Sequence, residues 1–81
     1  MFKNKNVNGS NNICGENIAK IRKAIKPVMS QRALADKMQL SGIDIDKNAI
    51  QKIEAGKRFV TDIELLVFAK VLNVDIDTLL S

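Results

Sequence analysis

The stretch KNAIQKIEAGKR, Lys47 to Arg58, carries the side chains with the most to offer chemically. At about 100° per residue, a helix through it turns Ile50 and Ile53 to one side. Asn48, Lys52 and Ala55 share the opposite face, with Gln51 beside them and Lys47 at the leading edge. That face offers amides, ammonium groups, one small residue and no acid. Asn and Gln amides pair bidentately with adenine, and lysine donates to guanine O6 and N7. Ala55 is small enough to let a helix lie close to a groove wall. The chemistry on offer is recognition of base edges. A plain solvated helix face has the same composition, and on this segment alone it is the better fit.

Other chemistries are poorly supplied. The chain has no His and a single Cys, Cys14. Zinc sites use three or four His, Cys or carboxylate ligands, so no metal and no cofactor are expected. His-based nucleophilic or acid–base catalysis is excluded. No acid pair sits in a recognisable site and no Gly-rich phosphate loop occurs, so an enzyme is not expected. Cys14, near the start of the first helix, reads as a packing residue; an activated thiol is the alternative. One Cys cannot build a disulfide framework within the chain, so a cytoplasmic location is expected. No apolar run is long enough to span a bilayer.

The formal net charge is +4 over 81 residues, and the excess is uneven. Lys and Arg clearly outnumber acids from Met1 to Gln39, and the signs nearly balance beyond. A basic half attracts polyanions, nucleic acid above all, although ordinary surface solvation also explains it.

Five short helices must position these groups, and the fold class is all-α. Residues 1–12, rich in Asn, read as a flexible tail, and residues 13–81 as one domain. The spacing of Ile18, Ile21 and Ile25 predicts a first helix from about Ile13 to Lys26, stopped by Pro27. Ser30 caps a second over Gln31–Gln39, whose inward face is Leu34, Ala35 and Met38. Asp46 caps the third, with Ile45 and Ile50 as its hydrophobic staple, and Gly56 ends it. Thr61 and Glu64 form a capping box for a fourth helix running to about Leu72. Asp75 caps a final turn or two, with Val74 and Leu79 as a staple.

These segments, in order, resemble the Cro/C1-type, or xenobiotic-response-element (XRE), helix-turn-helix regulators. The resemblance rests on GENIAKIRK (15–23), SQRALADKM (30–38), NAIQKIEAGKR (48–58) and TDIELLVFAKVLNVDIDTLL (61–80). It implies a five-helix, lambda-repressor-like domain whose third helix enters the major groove of double-stranded DNA. It puts Lys47, Asn48 and Lys52 at base edges, with Gln51 a further contact. It puts Ser30 and Gln31 against a backbone phosphate, as helix N-termini bind anions, and Lys57 and Arg58 on flanking phosphates. Both cations also suit a solvated helix C-terminus. The resemblance further implies an ion pair between Arg22 and Glu54 that sets the angle of the recognition helix; the alternative is that both face water.

The connection QLSGIDID is about four or five residues longer than the family's usual turn. Leu40, Ile43 and Ile45 are expected to bury, Ser41-Gly42 to turn the chain, and Asp46 to keep the cap. Asp44 and Asp46 would repel phosphate unless capping or turned away. The fourth helix is apolar nearly all round: Leu65, Phe68, Ala69 and Leu72 belong to the core, and Ile63, Val67 and Val71 form a second stripe. That stripe needs cover from the last helix, the tail or a second copy. The resemblance adds a pairing surface at Val74, Ile76 and Thr78, and hence a weak homodimer. The expected function is sequence-specific transcriptional regulation, most simply repression by occupying an operator. The alternative is a small helical protein-interaction module, such as an antitoxin-like partner. No membrane and no small-molecule ligand are expected.

Overall fold

The computed structural model describes residues 12–81, which form five helices: α1 (Gly15–Ala24), α2 (Gln31–Leu40), α3 (Lys47–Glu54), α4 (Asp62–Leu72) and α5 (Ile76–Leu80). Local chemistry explains the starts of α2, α3 and α4. The Ser30 hydroxyl accepts from the Ala33 amide at 3.0 Å, and the Asp46 carboxylate accepts from Ala49 N at 2.8 Å. Thr61 and Glu64 close a reciprocal capping box. Asp75 precedes α5 but makes no side-chain cap, so the expected cap is absent there.

The stops are equally local. α2, α3 and α4 each end in a left-handed residue: Gly42 (φ 91°), Gly56 (φ 76°) and Asn73 (φ 57°). In each case the next amide reaches back to the last turn: Ile43 N to Met38 O, Lys57 N to Lys52 O, and Val74 N to Ala69 O. This double closure satisfies carbonyls that the helix itself leaves open. α1 stops at Ala24, two residues before the expected Lys26, because Ile25 turns extended and the residue before Pro27 avoids helical backbone.

Ile18, Leu34, Met38, Ile50, Ile53, Val60, Phe68 and Leu79 make a closed apolar centre, with Cys14 among them. α3 packs on α2 and α1, α4 supports α2, and α5 closes against α1 and α4. Asn17 fastens that closure by donating to the carbonyls of Leu79 (2.8 Å) and Ser81 (3.0 Å).

Three expectations are corrected here. Asn12 does not belong to a tail: it is 2% exposed and hydrogen-bonded; the rest of the expected tail, residues 1–11, lies outside the described residues. Leu40 does not bury; at 89% exposure it stands in solvent, because it is the last residue of α2 and stands on its outer side. Ile43 and Ile45 do fill the long link, half-buried and buried respectively. On α4 the second stripe divides: Val67 and Val71 pack against the core, whereas Ile63 is exposed, as is its helical neighbour Leu66.

Candidate nucleic-acid interface

α3 is held by its apolar side and presents its polar one. Ile50 and Ile53 are fully buried, which forces Lys47, Asn48, Gln51, Lys52 and Ala55 outward, and all five are exposed. Two adjoining hollows border this face. One is lined by Asp46, Asn48, Ala49, Lys52, Lys57, Arg58 and Phe59. The other is lined by Asn48, Gln51, Lys52, Ala55 and Lys57. One amide and two ammonium side chains, Asn48, Lys52 and Lys57, therefore border both. The ion pairs among the described residues are Arg22–Glu54 and Arg58–Glu64, so the charges of Lys47 and Lys52 are not neutralised by a carboxylate partner. Asp46, the acid nearest this face, spends one oxygen on the Ala49 amide.

The long link is ordered by its own hydrogen bonds. Gly42 N reaches Gln39 O, Ile45 N reaches Ile43 O, and Gln39 Nε2 donates to Ile45 O at 2.9 Å. It delivers Asp46 to the start of α3 much as a tight turn would. Beside it lies a third hollow lined by Arg32, Ala35, Asp36, Gln39, Asp46 and Lys47. Arg32, exposed on the first turn of α2, escaped the sequence reading; its place next to Gln31 was the available signal.

Behind α3 the structure brings Arg22 and Glu54 together. Arg22 Nε and Nη2 donate to the two Glu54 oxygens at 2.7 and 2.9 Å, and both side chains are 8% exposed. Arg22 Nη1 also donates to Met29 O, 3.0 Å. The carboxylate fork raises the Arg22 pKa further above its ordinary value, against the opposing effect of burial. Gln31 Nε2 joins this group, donating to Glu54 Oε1 at 3.0 Å. The first side chain of α2 and the last turn of α3 are thus on one hydrogen-bonded network.

Arg58 is oriented differently from Lys57. Its guanidinium forks onto Glu64 at 3.1 and 2.9 Å and donates to Phe59 O. Burial pushes the Glu64 carboxyl up, but Arg58 and the Thr61 amide outweigh it and hold the pKa below the ordinary 4.5. Sequence reading assigned Glu64 to the capping box alone; Arg58, six residues earlier, gave no periodic signal of this second partner. Val67, Val71, Val74 and Ile76 pack partly against the chain's own core, while Thr78 is exposed.

A family model described as helix-turn-helix matches residues 18–79. The chain belongs to the Cro/C1-type helix-turn-helix family. That match runs from within α1 through nearly all of α5, and it makes the chain a DNA-binding helix-turn-helix domain of a regulatory, non-enzymatic family. No curated protein and no solved structure gives a significant match. Among the described residues, no helix is long and apolar enough to cross a membrane.

Proposed function

We propose that this helix-turn-helix protein is a sequence-specific transcriptional repressor that reads an operator through α3. The observation that carries the reading is the convergence of Asn48, Lys52 and Lys57 on two adjoining hollows, where Asp46 is the only lining acid and already caps the Ala49 amide. Asn48, Lys52, Lys47 and Gln51 address base edges. Ser30 and Gln31, at the start of α2, meet the backbone phosphate on one flank. Lys57 grips the other, and Arg58, partly exposed behind its Glu64 fork, adds charge to that edge. Occupancy of the operator then excludes polymerase or a competing factor, with no catalytic step.

Selection from a random duplex pool, followed by gel shift, tests this. Asn48→Ala should cost about 1–3 kcal/mol on the selected duplex and relax preference at one position. Lys57→Ala should weaken all duplexes alike and lower the salt slope by about one unit. Unchanged preference in both Asn48→Ala and Lys52→Ala would remove the base-reading assignment.

We also propose a weak homodimer that tightens on DNA, using Ile76 with Val67, Val71, Val74 and Thr78. Two-fold pairing sets two recognition helices about 34 Å apart and calls for a near-palindromic site. The exposed neighbours Ile63 and Leu66 favour a protein contact of some kind on this side, which is also what an antitoxin-like module would need. Sedimentation of wild type and Ile76→Glu, with and without the selected duplex, separates the readings: a strict monomer on an asymmetric site, indifferent to Ile76→Glu, rules out the dimer.

A further inference from the structure

One side-chain amide joins three backbone segments at the foot of the recognition helix. Asn12 Oδ1 accepts from Gly15 N at 2.7 Å. Its Nδ2 donates to Ile53 O at 3.0 Å and to Arg58 O at 2.8 Å. The residue is 2% exposed, so these bonds form away from water, where an unmet partner is costly. The orientation of the amide is fixed by chemistry: reversed, it would set its NH2 against an N–H and its oxygen against two carbonyls.

The arrangement joins the positive end of one helix to the negative end of another. The Gly15 amide belongs to the start of α1, and the Ile53 carbonyl to the last turn of α3. Backbones meet closely there, since a Cβ on Gly15 would collide with the Ile53 carbonyl. The third partner, Arg58 O, lies next to Lys57 in the loop between α3 and α4. Gly56 N also bonds Ile53 O, and Lys57 N bonds Lys52 O, so that loop is a continuation of the α3 terminus. Asn12 thereby fixes the tilt of α3 and the place of Lys57 relative to α1. The Arg22–Glu54–Gln31 network holds the same final turn through different atoms. Residues 12–15 also precede the 18–79 stretch that the family match covers, so the lock is separate from what that match supports.

We propose that Asn12 is a positioning residue for DNA reading: it touches no base or phosphate, and sets the angle at which Asn48, Lys52 and Lys57 meet the duplex. The proposal rests on α3 being the reading helix. Asn12→Asp is the sharpest probe. The carboxylate keeps the acceptor for Gly15 N but turns an oxygen toward the Ile53 and Arg58 carbonyls. Asn12→Ser is the gentler one; its hydroxyl can keep the cap, while both carbonyls lose the side-chain amide and Ile53 O keeps the Gly56 amide. Wild type, the two variants, Lys52→Ala and Asn48→Ala are compared on a duplex selected by the wild-type chain and on a scrambled duplex. The temperature is one at which circular dichroism shows each protein folded.

A merely structural role would lower the unfolding midpoint and leave the folded protein's discrimination intact. The proposal expects the ratio of selected to scrambled affinity to fall tenfold or more in Asn12→Ser, and in Asn12→Asp wherever that variant folds. It also expects the salt slope to decrease as Lys57 loses register. A folded Asn12→Ser with wild-type ratio and slope overturns it, whatever Lys52→Ala does. An unchanged ratio in Lys52→Ala, with Asn48→Ala unchanged as well, overturns the base-reading assignment instead. A wild-type chain that enriches no duplex overturns both.

Discussion

Removing Glu54 should destabilise the domain far more than removing an exposed acid, and the structure sets the size of the effect. Arg22 and Glu54 are each 8% exposed, and the fork between them is short on both arms. Breaking a buried pair by deleting one partner costs about 3–5 kcal/mol, whereas exposed pairs contribute about 0–1 kcal/mol. The two deletions are not equivalent. In Glu54→Ala, Arg22 keeps the Met29 carbonyl, and its aliphatic stem lets the guanidinium reach toward water. In Arg22→Ala, the Glu54 carboxylate keeps only the Gln31 amide from this network and has a shorter reach. Glu54→Ala therefore belongs near 3 kcal/mol and Arg22→Ala near the upper end of the range. A domain of this size shifts roughly 4–8 °C per kcal/mol, so Glu54→Ala should lower the midpoint by roughly 12–24 °C. Thermal and urea unfolding, followed by far-UV circular dichroism, measure this, with Asp36→Ala, an exposed acid on α2, as the control. The double variant should lose clearly less than the sum of the singles, and an apolar pair, Arg22→Met with Glu54→Leu, should recover most of the stability. Additive single effects, or a loss for Glu54→Ala no larger than for Asp36→Ala, would refute the reasoning.

Other outcomes follow from single sites. Glu64 has a folded pKa below 4.5, so its contribution is present above about pH 4.5 and lost as pH falls through the folded value. The wild-type urea midpoint should drop more steeply there than that of Glu64→Gln, and parallel curves would exclude the effect. Cys14 is fully buried, and desolvation raises its pKa to about 11. Native protein at neutral pH should resist thiol alkylation and label only on unfolding; rapid native labelling would show that Cys14 is accessible. Leu40→Ser should change unfolding free energy by no more than about 0.5 kcal/mol, since an 89%-exposed side chain has little burial to lose; a larger loss in a urea titration would mean that Leu40 has a partner.

The sequence was most informative where structure is made within a few residues. Ser30, Asp46 and the Thr61–Glu64 box cap neighbouring amides, and Gly56 stops α3 through its own left-handed backbone. The inward faces of α2 and α3 could be read from spacing alone. The Arg22–Glu54 contact, 32 residues apart, was accessible only through resemblance, because no local pattern encodes it. Resemblance was silent on Asn12, whose partners lie 41 and 46 residues away, and composition placed that residue in a tail with its Asn neighbours. Arg58 illustrates a different difficulty. A cation after a helix stop serves equally well on a phosphate or on a nearby carboxylate, and the choice of Glu64 depends on where the start of α4 comes to rest. Leu40 failed for a geometric reason: hydrophobicity argues for burial, but Leu40 is the last residue of α2 and stands on its outer side.

The long-range polar bonds of this domain have an uneven distribution. Asn12, Asn17 and Arg22 lie within or just ahead of α1, and their distant partners are in α3, in the loop after it, in α5's last turn and at Ser81 just past it. Of the five described helices, α1 is made before the others, so its side chains wait longest for their partners. α2 and α3 can associate as soon as both have emerged, since their contacts are local. Until α5 follows, the Asn17 amide has no carbonyl to bind, and the apolar surface that Leu79 covers stays open. The nascent chain can therefore hold α1, α2 and α3 together while the side of α1 that α5 covers is still open, and translation itself sets how long that stage lasts.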